Sequence, residues 1–212
     1  MVLYADPCTV NCRKVLAGAA LLGVDLDLDY RSYFAGDHRQ PAYLAINPNG
    51  MLPALNHDGF ILWESDVILE YLAQFATQPG VHPTDLQSST DIRRWLSWSS
   101  SHWFGACYPY LVENAVKPLL GSQPDQSLLA SSAAAFHKFA RVLDEHLAGR
   151  EWVVGTSPTI ADISVAAPMH VHTAQKLPLE DYPNLRAWMA RVEDLDCWVQ
   201  TDPFPHFPEP AA

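Results

Sequence analysis

The chain reads Asn47-Pro48-Asn49-Gly50-Met51-Leu52-Pro53-Ala54-Leu55-Asn56-His57-Asp58-Gly59-Phe60-Ile61-Leu62-Trp63 across its first tight hairpin. The Asn-Pro-Asn-Gly segment predicts a turn, and Asp58-Gly59 between two apolar runs predicts a hairpin that joins two short strands. Pro53 stands at the start of the first strand, where a proline is tolerated if the peptide bond before it is cis. The stretch therefore predicts an antiparallel pair of strands, the first of which begins at a proline.

The elements on either side complete a mixed pattern. Residues 2–4 form a short apolar strand, and apolar positions at helical spacing over 15–22 predict a helix. Residues 25–30 alternate strictly and predict a strand with one wet face. A short helix over 41–44 begins with proline, and a further helix opens at Glu64 and Ser65, after the hairpin. The order β-α-β-α-β-β-α is the thioredoxin-like arrangement.

The predicted secondary structure changes after residue 76, from mixed strands and helices to helices. Two prolines and a glycine within residues 77–84 have the composition of a linker. Helical periodicity dominates beyond it, over residues 88–116, 125–148, 160–175 and 183–196. We therefore expect a thioredoxin-like α/β domain over residues 1–76, a linker over 77–87 and an all-helical domain over 88–212. Proline recurs too often in the tail, residues 203–210, for a helix.

Composition limits the classes of function. The 212 residues are 49% hydrophobic and 17% charged, which predicts a buried core. The formal net charge of −11 disfavours nucleic acid and anionic membranes as partners. No apolar run is long enough for a spanning helix, and no signal peptide is visible. The four cysteines are few and irregularly spaced, which predicts a reducing cytoplasm and no metal site.

Two segments offer groups that could bind a peptide-like ligand. A cis bond at Leu52-Pro53 would leave the backbone N–H and C=O of Leu52 free to pair with an extended ligand. The alternative is an ordinary edge-strand proline. Glu64-Ser65-Asp66 opens a helix, where free N–H groups and a hydroxyl favour a carboxylate. The alternative there is a plain N-cap.

A third segment, Cys8-Thr9-Val10-Asn11-Cys12-Arg13-Lys14, lies between the first strand and the first helix. The dipole and unpaired N–H groups at a helix N-terminus stabilise a thiolate. The alternative is that Thr9 or Asn11 caps the helix. For Cys12 the alternative is a small buried apolar side chain.

Together these three segments resemble the glutathione S-transferase family. A fourth motif, Gly155-Thr156-Ser157-Pro158-Thr159-Ile160-Ala161-Asp162-Ile163, adds a capping box in which Thr159 is the N-cap and Asp162 lies three residues on. Four motifs in the expected order and spacing span the whole chain. The resemblance implies glutathione as co-substrate, a cytosolic enzyme of detoxification and a homodimer.

The resemblance also implies roles for individual residues. Leu52, before Pro53, would pair by its backbone with the cysteinyl part of glutathione, while Glu64 and Ser65 would hold the γ-glutamyl end. His38 matches the position that reaches the glycyl carboxylate, with Arg39 as a rival, although both could be solvated loop residues. The predicted glutathione site comprises His38, Arg39, Met51, Leu52, Pro53, Glu64 and Ser65.

The activating position departs from the family pattern. Serine-type members carry Ser where this chain has Thr9, and redox-type members carry Cys there in a Cys-x-x-Cys relation. A threonine hydroxyl donates the same hydrogen bond, although its extra methyl restricts χ1. We predict Thr9 as the activating residue, Asn11 as a helper and Cys8 as the rival.

The resemblance implies a transferase in which the glutathione thiolate attacks an electrophilic carbon or a peroxide. A small hydrophobic substrate would lie in an apolar cleft between the domains, and Trp103, Phe104 and Tyr108 are candidates to line it. Two other functions stay open at this point. One is a thiol–disulfide oxidoreductase that uses Cys8 or Cys12, and the other is a non-catalytic glutathione-binding module.

Overall fold

The computed structural model describes residues 1–208 and divides them into two compact units. The first unit comprises Met1–Pro83 together with Leu195–Phe207, and the second begins at Thr84 and extends to Asp194. Residues 195–207 were expected in the helical domain, but they pack with the N-terminal unit. Positions 209–212, which end the predicted helical domain and its proline-rich tail, lie outside the described residues.

The first unit contains a four-stranded mixed sheet in the order β2-β1-β3-β4. Its strands are β1 (Val2–Ala5), β2 (Asp27–Tyr30), β3 (Ala54–His57) and β4 (Phe60–Trp63). β1 pairs in parallel with β2 and antiparallel with β3, and β3 pairs antiparallel with β4. The predicted thioredoxin-like order and the predicted hairpin are confirmed.

The Met1–Pro83 part of this unit also contains the helices α1 (Val10–Leu22), α2 (Pro41–Leu44) and α3 (Ser65–Ala73). Gly23 caps the C-terminus of α1. Its φ of 68° lies in the left-handed region that favours glycine, and its N–H donates to the carbonyl oxygens of Ala19 and Ala20. A Cβ at Gly18 would overlap a methyl group of Leu69, so α1 and α3 pack closely at this point.

The returning C-terminal segment is anchored on α1. It contains α11 (Asp196–Val199) and one 3-10 turn over Phe204–His206. The Arg13 guanidinium lies 4.0 Å from the centre of the Trp198 ring and donates to the Trp198 carbonyl oxygen over 3.1 Å. Both side chains are buried. A cation–π contact of this kind, largely removed from water, holds the segment on the first unit.

The second unit is helical. It contains α4 (Leu86–Trp98), α5 (Phe104–Leu111), α6 (Lys117–Leu119), α7 (Gln126–Leu147), α8 (Ile160–Ala166), α9 (His172–Gln175) and α10 (Pro183–Glu193). Two π-helical segments over 99–103 and 112–116 keep the chain helical from residue 86 to residue 119. No helix among residues 1–208 has both the length and the apolar character to cross a bilayer.

A buried carboxylate organises the core of the second unit. The predicted capping box is present, with Thr159 as the N-cap of α8 and Asp162 as its partner. Asp162 is fully buried and accepts hydrogen bonds from the Val153 N–H at 2.8 Å, the Thr159 N–H at 2.9 Å and the Trp188 indole at 2.9 Å. One side chain therefore ties a loop, a helix start and α10 together.

Candidate functional site

The start of α1 presents unpaired backbone donors. Thr9 is its N-cap, with φ −88° and ψ 146°, and within the described chain its side chain caps no N–H of the first turn. Its hydroxyl instead donates to the Asp6 carbonyl oxygen over 3.1 Å, and its own N–H bonds the same oxygen over 3.0 Å. The first-turn N–H groups of α1 are thus left for an anionic ligand atom.

Asp6 holds this loop in place. Its carboxylate is 1% exposed and accepts from the Cys8 N–H at 3.2 Å and from the Tyr33 N–H at 2.8 Å. The loop before α1 is therefore fixed to the loop after β2, which carries His38. From the sequence, Asp6-Pro7 predicted only an interruption of regular secondary structure. The contact of Asp6 with Tyr33 spans 27 residues and therefore has no local signature.

His38 lies buried in that second loop. Its ring stacks on Tyr33 at 4.7 Å, and its Nε2 accepts a hydrogen bond from Arg39 Nε over 3.2 Å. Burial and then the Arg39 charge lower the pKa of His38, against an opposing effect of Asp37. His38 is therefore neutral near pH 7 and carries its proton on Nδ1, which has no partner among residues 1–208. Arg39 is exposed.

The loop before β3 carries the predicted peptide-binding edge. The Leu52–Pro53 peptide bond is cis, as predicted. Hydrogen bonds from Tyr43 Oη (2.6 Å) and Asn47 Nδ2 (2.8 Å) fix the Met51 carbonyl oxygen. The Met51 side chain is 63% exposed. Within the described chain, the backbone N–H and C=O of Leu52 bond to nothing.

Two of these loops are neighbours. A Cβ at Gly50 would lie 3.4 Å from the His38 carbonyl oxygen, and the φ of 61° at Gly50 suits glycine. The His38 segment and the Leu52 segment therefore border the same region of the first unit.

Glu64 precedes α3 in a strained conformation. Its φ of 74° and ψ of 108° are rarely adopted by a residue with a side chain, at a cost of about 1–3 kcal/mol. Strain of this kind is concentrated at functional sites. It places Ser65 as the first residue of α3, where the backbone N–H groups have no intrahelical partner.

Ser65 joins α3 to α1 through side chains. Its Oγ donates to Asn11 Oδ1 over 3.3 Å and accepts from Lys14 Nζ over 3.2 Å. Lys14 is 2% exposed and also contacts both carboxylate oxygens of Asp66, at 3.0 and 3.1 Å. Sequence reasoning gave Lys14 no role, because a buried lysine paired 52 residues away leaves no periodic signal.

The cysteines are unsuited to redox chemistry in this conformation. All four are unpaired and buried. Burial, reinforced by the Asp6 carboxylate, raises the pKa of Cys8, and burial raises the pKa of Cys12 to about 12. Reactive cysteines require the opposite shift. The thiol–disulfide alternative is therefore not favoured.

The predicted aromatic lining separates into two groups. Trp103 is fully buried in the second unit, where its indole donates to the Val165 carbonyl oxygen over 3.1 Å. With no exposed atom it belongs to the core, which corrects the prediction that it lines a substrate site. Phe104 and Tyr108 stack on each other at 5.2 Å, and Tyr108 is 42% exposed. Only these two are placed to meet a ligand.

Among residues 1–208 no group of His, Cys, Asp and Glu side chains is arranged to hold a metal ion.

The structure brings together the starts of α1 and α3 through Asn11 and Ser65, and it joins the loop of Thr9 to the loop of His38 through Asp6. Hydrogen-bond donors and acceptors of the first unit are thus gathered near the N-termini of two helices.

Two family models match the chain. The model described as "Glutathione S-transferase, N-terminal domain" matches residues 10–74, and the model described as "Glutathione S-transferase, C-terminal domain" matches residues 105–196. The two matches together cover more than half of the chain and fall one in each structural unit.

Individual proteins agree with these matches. Glutathione S-transferase D7 of Anopheles gambiae is 30% identical over 195 residues, which cover 91% of this chain and 86% of that protein. Human glutathione S-transferase theta-2B is 30% identical over 194 residues, covering 90% and 80%. The crystal structure of a theta class glutathione S-transferase from Xanthomonas axonopodis pv. citri, with glutathione bound, superposes with a TM-score of 0.83 at 26% identity, covering 95% and 96%.

Proposed function

This chain belongs to the glutathione S-transferase family, and we propose that it acts as a glutathione transferase that stabilises the thiolate of glutathione at the start of α1. The thiolate then attacks an electrophilic carbon or a peroxide. The observation that carries the proposal is the backbone of Leu52, whose N–H and C=O pair with no group among residues 1–208 and can therefore pair with a ligand that offers both a C=O and an N–H. A peptide bond of glutathione has this complement.

The other residues supply the ends of the ligand. The Ser65 hydroxyl and the free N–H groups of α3 bind the γ-glutamyl carboxylate, and Glu64 binds its ammonium group. The neutral His38 donates from Nδ1 to the glycyl carboxylate, with the Arg39 charge beside it. Leu52, flanked by Met51 and Pro53, pairs with the central cysteinyl residue.

Thr9 activates the thiol in this proposal. A thiol of ordinary pKa, near 8.5, is only a few per cent ionised at neutral pH. A hydrogen bond to the charged sulfur contributes about 1.5–3 kcal/mol, and the end of α1 contributes about 0.3–1 kcal/mol. At about 1.4 kcal/mol per pKa unit, these contributions lower the thiol pKa by roughly one to three units. A shift above about 1.5 units makes thiolate the main form at pH 7.

Asn11 assists at the same helix start. Its Oδ1 is occupied by the Ser65 hydroxyl, so the amide N–H donors, which have no partner within residues 1–208, are left for the ligand. The electrophile binds over the exposed ring of Tyr108 and its stacking partner Phe104. An apolar substrate of modest size fits a stacked aromatic pair.

The substrate-binding test is calorimetric. We expect glutathione to bind the intact protein, and Ser65→Ala to lower its affinity at least about tenfold, since a charged hydrogen bond is lost. Ser131→Ala is the matched control, because Ser131 is an exposed serine on α7. Turnover with an activated aryl chloride and with an organic hydroperoxide separates the two reaction classes. Binding of no glutathione by the wild-type protein would overturn the proposal.

We also propose a cytoplasmic homodimer. Four unpaired, buried cysteines support a reducing compartment. Large apolar side chains of the first unit are exposed on β4 (Phe60, 53%), on α3 (Val67, 48%) and just after α3 (Phe75, 40%). Exposed apolar side chains of this size support a protein interface. Analytical ultracentrifugation tests the proposed dimer. Phe60→Asp is expected to shift the protein to monomer, whereas the control Leu128→Asp, at an exposed leucine on α7, should leave the dimer intact.

A further inference from the structure

We propose that Lys14 is a positioning residue that makes the Ser65 hydroxyl an obligate donor and thereby selects a carboxylate at the γ-glutamyl end of the ligand. The inference rests on the proposed function and deepens it. It starts from an unusual observation, because lysine is almost never fully buried unless it is paired. Lys14 is 2% exposed and has three partners, all at the start of α3.

The direction of each hydrogen bond follows from chemistry. An ammonium group has three donors and no acceptor. The Ser65 Oγ must therefore accept from Lys14 Nζ at 3.2 Å, and its single proton can only point away from Lys14. In this structure that proton meets Asn11 Oδ1 over a long 3.3 Å contact.

Asp66 keeps the ammonium group in place. Its two carboxylate oxygens contact Lys14 Nζ at 3.0 and 3.1 Å, from the second position of α3. Because the Lys14 end of this ion pair is buried, separation would leave an uncompensated charge there, and the pair therefore holds its geometry. Lys14 therefore cannot turn away to let the Ser65 oxygen become free.

The consequence is selectivity for one chemical class at this position. A ligand group at Ser65 has to accept a hydrogen bond, and an anionic oxygen replaces Asn11 Oδ1 with a stronger, charge-assisted bond. The Lys14 ammonium group, which donates to the Ser65 oxygen, polarises the Ser65 O–H bond and makes the hydroxyl a stronger donor to that anionic oxygen. A neutral ligand end without an acceptor gains neither contribution.

The test compares glutathione with its analogue that lacks the γ-glutamyl α-carboxylate. In the wild-type protein we expect glutathione to bind at least about tenfold more tightly than the analogue. In Lys14→Met/Asp66→Asn, which removes both members of the ion pair and leaves no unpaired buried charge, the ratio should fall to within about twofold. Affinity for the analogue itself should change little.

Two further proteins make the result decisive. Lys138→Met, which removes an exposed lysine on α7, should keep the tenfold preference. Ser65→Ala retains the Lys14–Asp66 pair and should lose the preference, which gives a second measurement should the double variant unfold. A preference that persists in Ser65→Ala or in the double variant overturns the role of Lys14. Failure of wild type to bind either ligand instead overturns the proposed function.

Discussion

The hydroxyl of Thr9 and the carbonyl oxygen of Asp6 are joined by a 3.1 Å hydrogen bond, so the one proton that Thr9 can donate is already engaged within the protein. Activation of a thiol by Thr9 requires exchange of this partner for the ligand sulfur. A charged sulfur is the stronger acceptor, whereas a neutral thiol is a weak one. The exchange therefore favours the thiolate over the thiol.

The first prediction follows from this exchange. Thr9→Ala should lower kcat/KM for glutathione by about 10–100-fold, corresponding to about 1.5–3 kcal/mol, while KM for glutathione changes less than about threefold. Thr9→Ser keeps the donor and should retain most of the activity. Ultraviolet titration of bound glutathione should show a higher thiol pKa in Thr9→Ala. If the thiol pKa of bound glutathione were the same in Thr9→Ala as in Thr9→Ser, activation would be assigned to Asn11 or to the helix end alone.

The second prediction concerns the cysteines. Because burial raises the pKa of Cys8 and of Cys12, both thiols should stay protonated from about pH 6 to about pH 9 and should react slowly with iodoacetamide in the folded protein. Cys8→Ser should retain transferase activity. Mass spectrometry locates the modified residue, with protein unfolded in guanidinium as the fully reactive control. Rapid alkylation of Cys8 at neutral pH would restore the thiol–disulfide mechanism.

Local features of the chain predicted the fold well. Asp58-Gly59 forms the hairpin turn between β3 and β4, with positive φ at both residues, as such a pair in a two-residue turn does. The capping box of Thr159 and Asp162 was equally readable. These signals work because each depends on residues close together in the chain.

Features that depend on distant residues were not predictable. The contacts of Lys14 with Asp66 and of Arg13 with Trp198 span 52 and 185 residues and follow no period. The latter explains why residues 195–207 were expected with the wrong unit. Trp103 was misplaced for a related reason, since an aromatic side chain gives the same sequence signal in a core as beside a ligand.

The third prediction separates stability from binding at Glu64. Glu64→Gly relieves a strained backbone, which offsets the added entropy of the unfolded chain, so the free energy of unfolding should be unchanged or rise by about 1 kcal/mol. Glutathione affinity should still fall, because the side chain proposed to bind the ligand ammonium group is lost. Asp58→Gly, at another positive φ in an exposed turn, is the control and should leave affinity unchanged. A marked loss of stability in Glu64→Gly would contradict the strain.

The fourth prediction concerns pH. The pKa of His38 lies below its ordinary value of 6.5 in the folded protein, chiefly because the ring is buried. Between the two pKa values the unfolded chain binds more protons, so the stabilisation is present above pH 6.5 and is lost as the pH falls through the folded pKa. Denaturant unfolding at about pH 7 and about pH 5 should show a smaller difference in His38→Gln than in wild type. His146, whose pKa is lowered by burial too, keeps its contribution in both proteins. An equal difference in the two proteins would show that His38 is not the group that titrates.

The fifth prediction concerns Asp162. Asp162→Ala leaves the Val153 N–H, the Thr159 N–H and the Trp188 indole without acceptors in a fully buried site, and should lower the free energy of unfolding by about 3–5 kcal/mol. Asp125→Ala is the control, since this exposed N-cap of α7 also accepts from two backbone N–H groups but costs only about 0.5–2 kcal/mol. Because the residues proposed to contact glutathione lie in the other unit, Asp162→Ala should bind glutathione normally at temperatures where it is folded. A loss comparable to that of Asp125→Ala would mean that water satisfies the three donors.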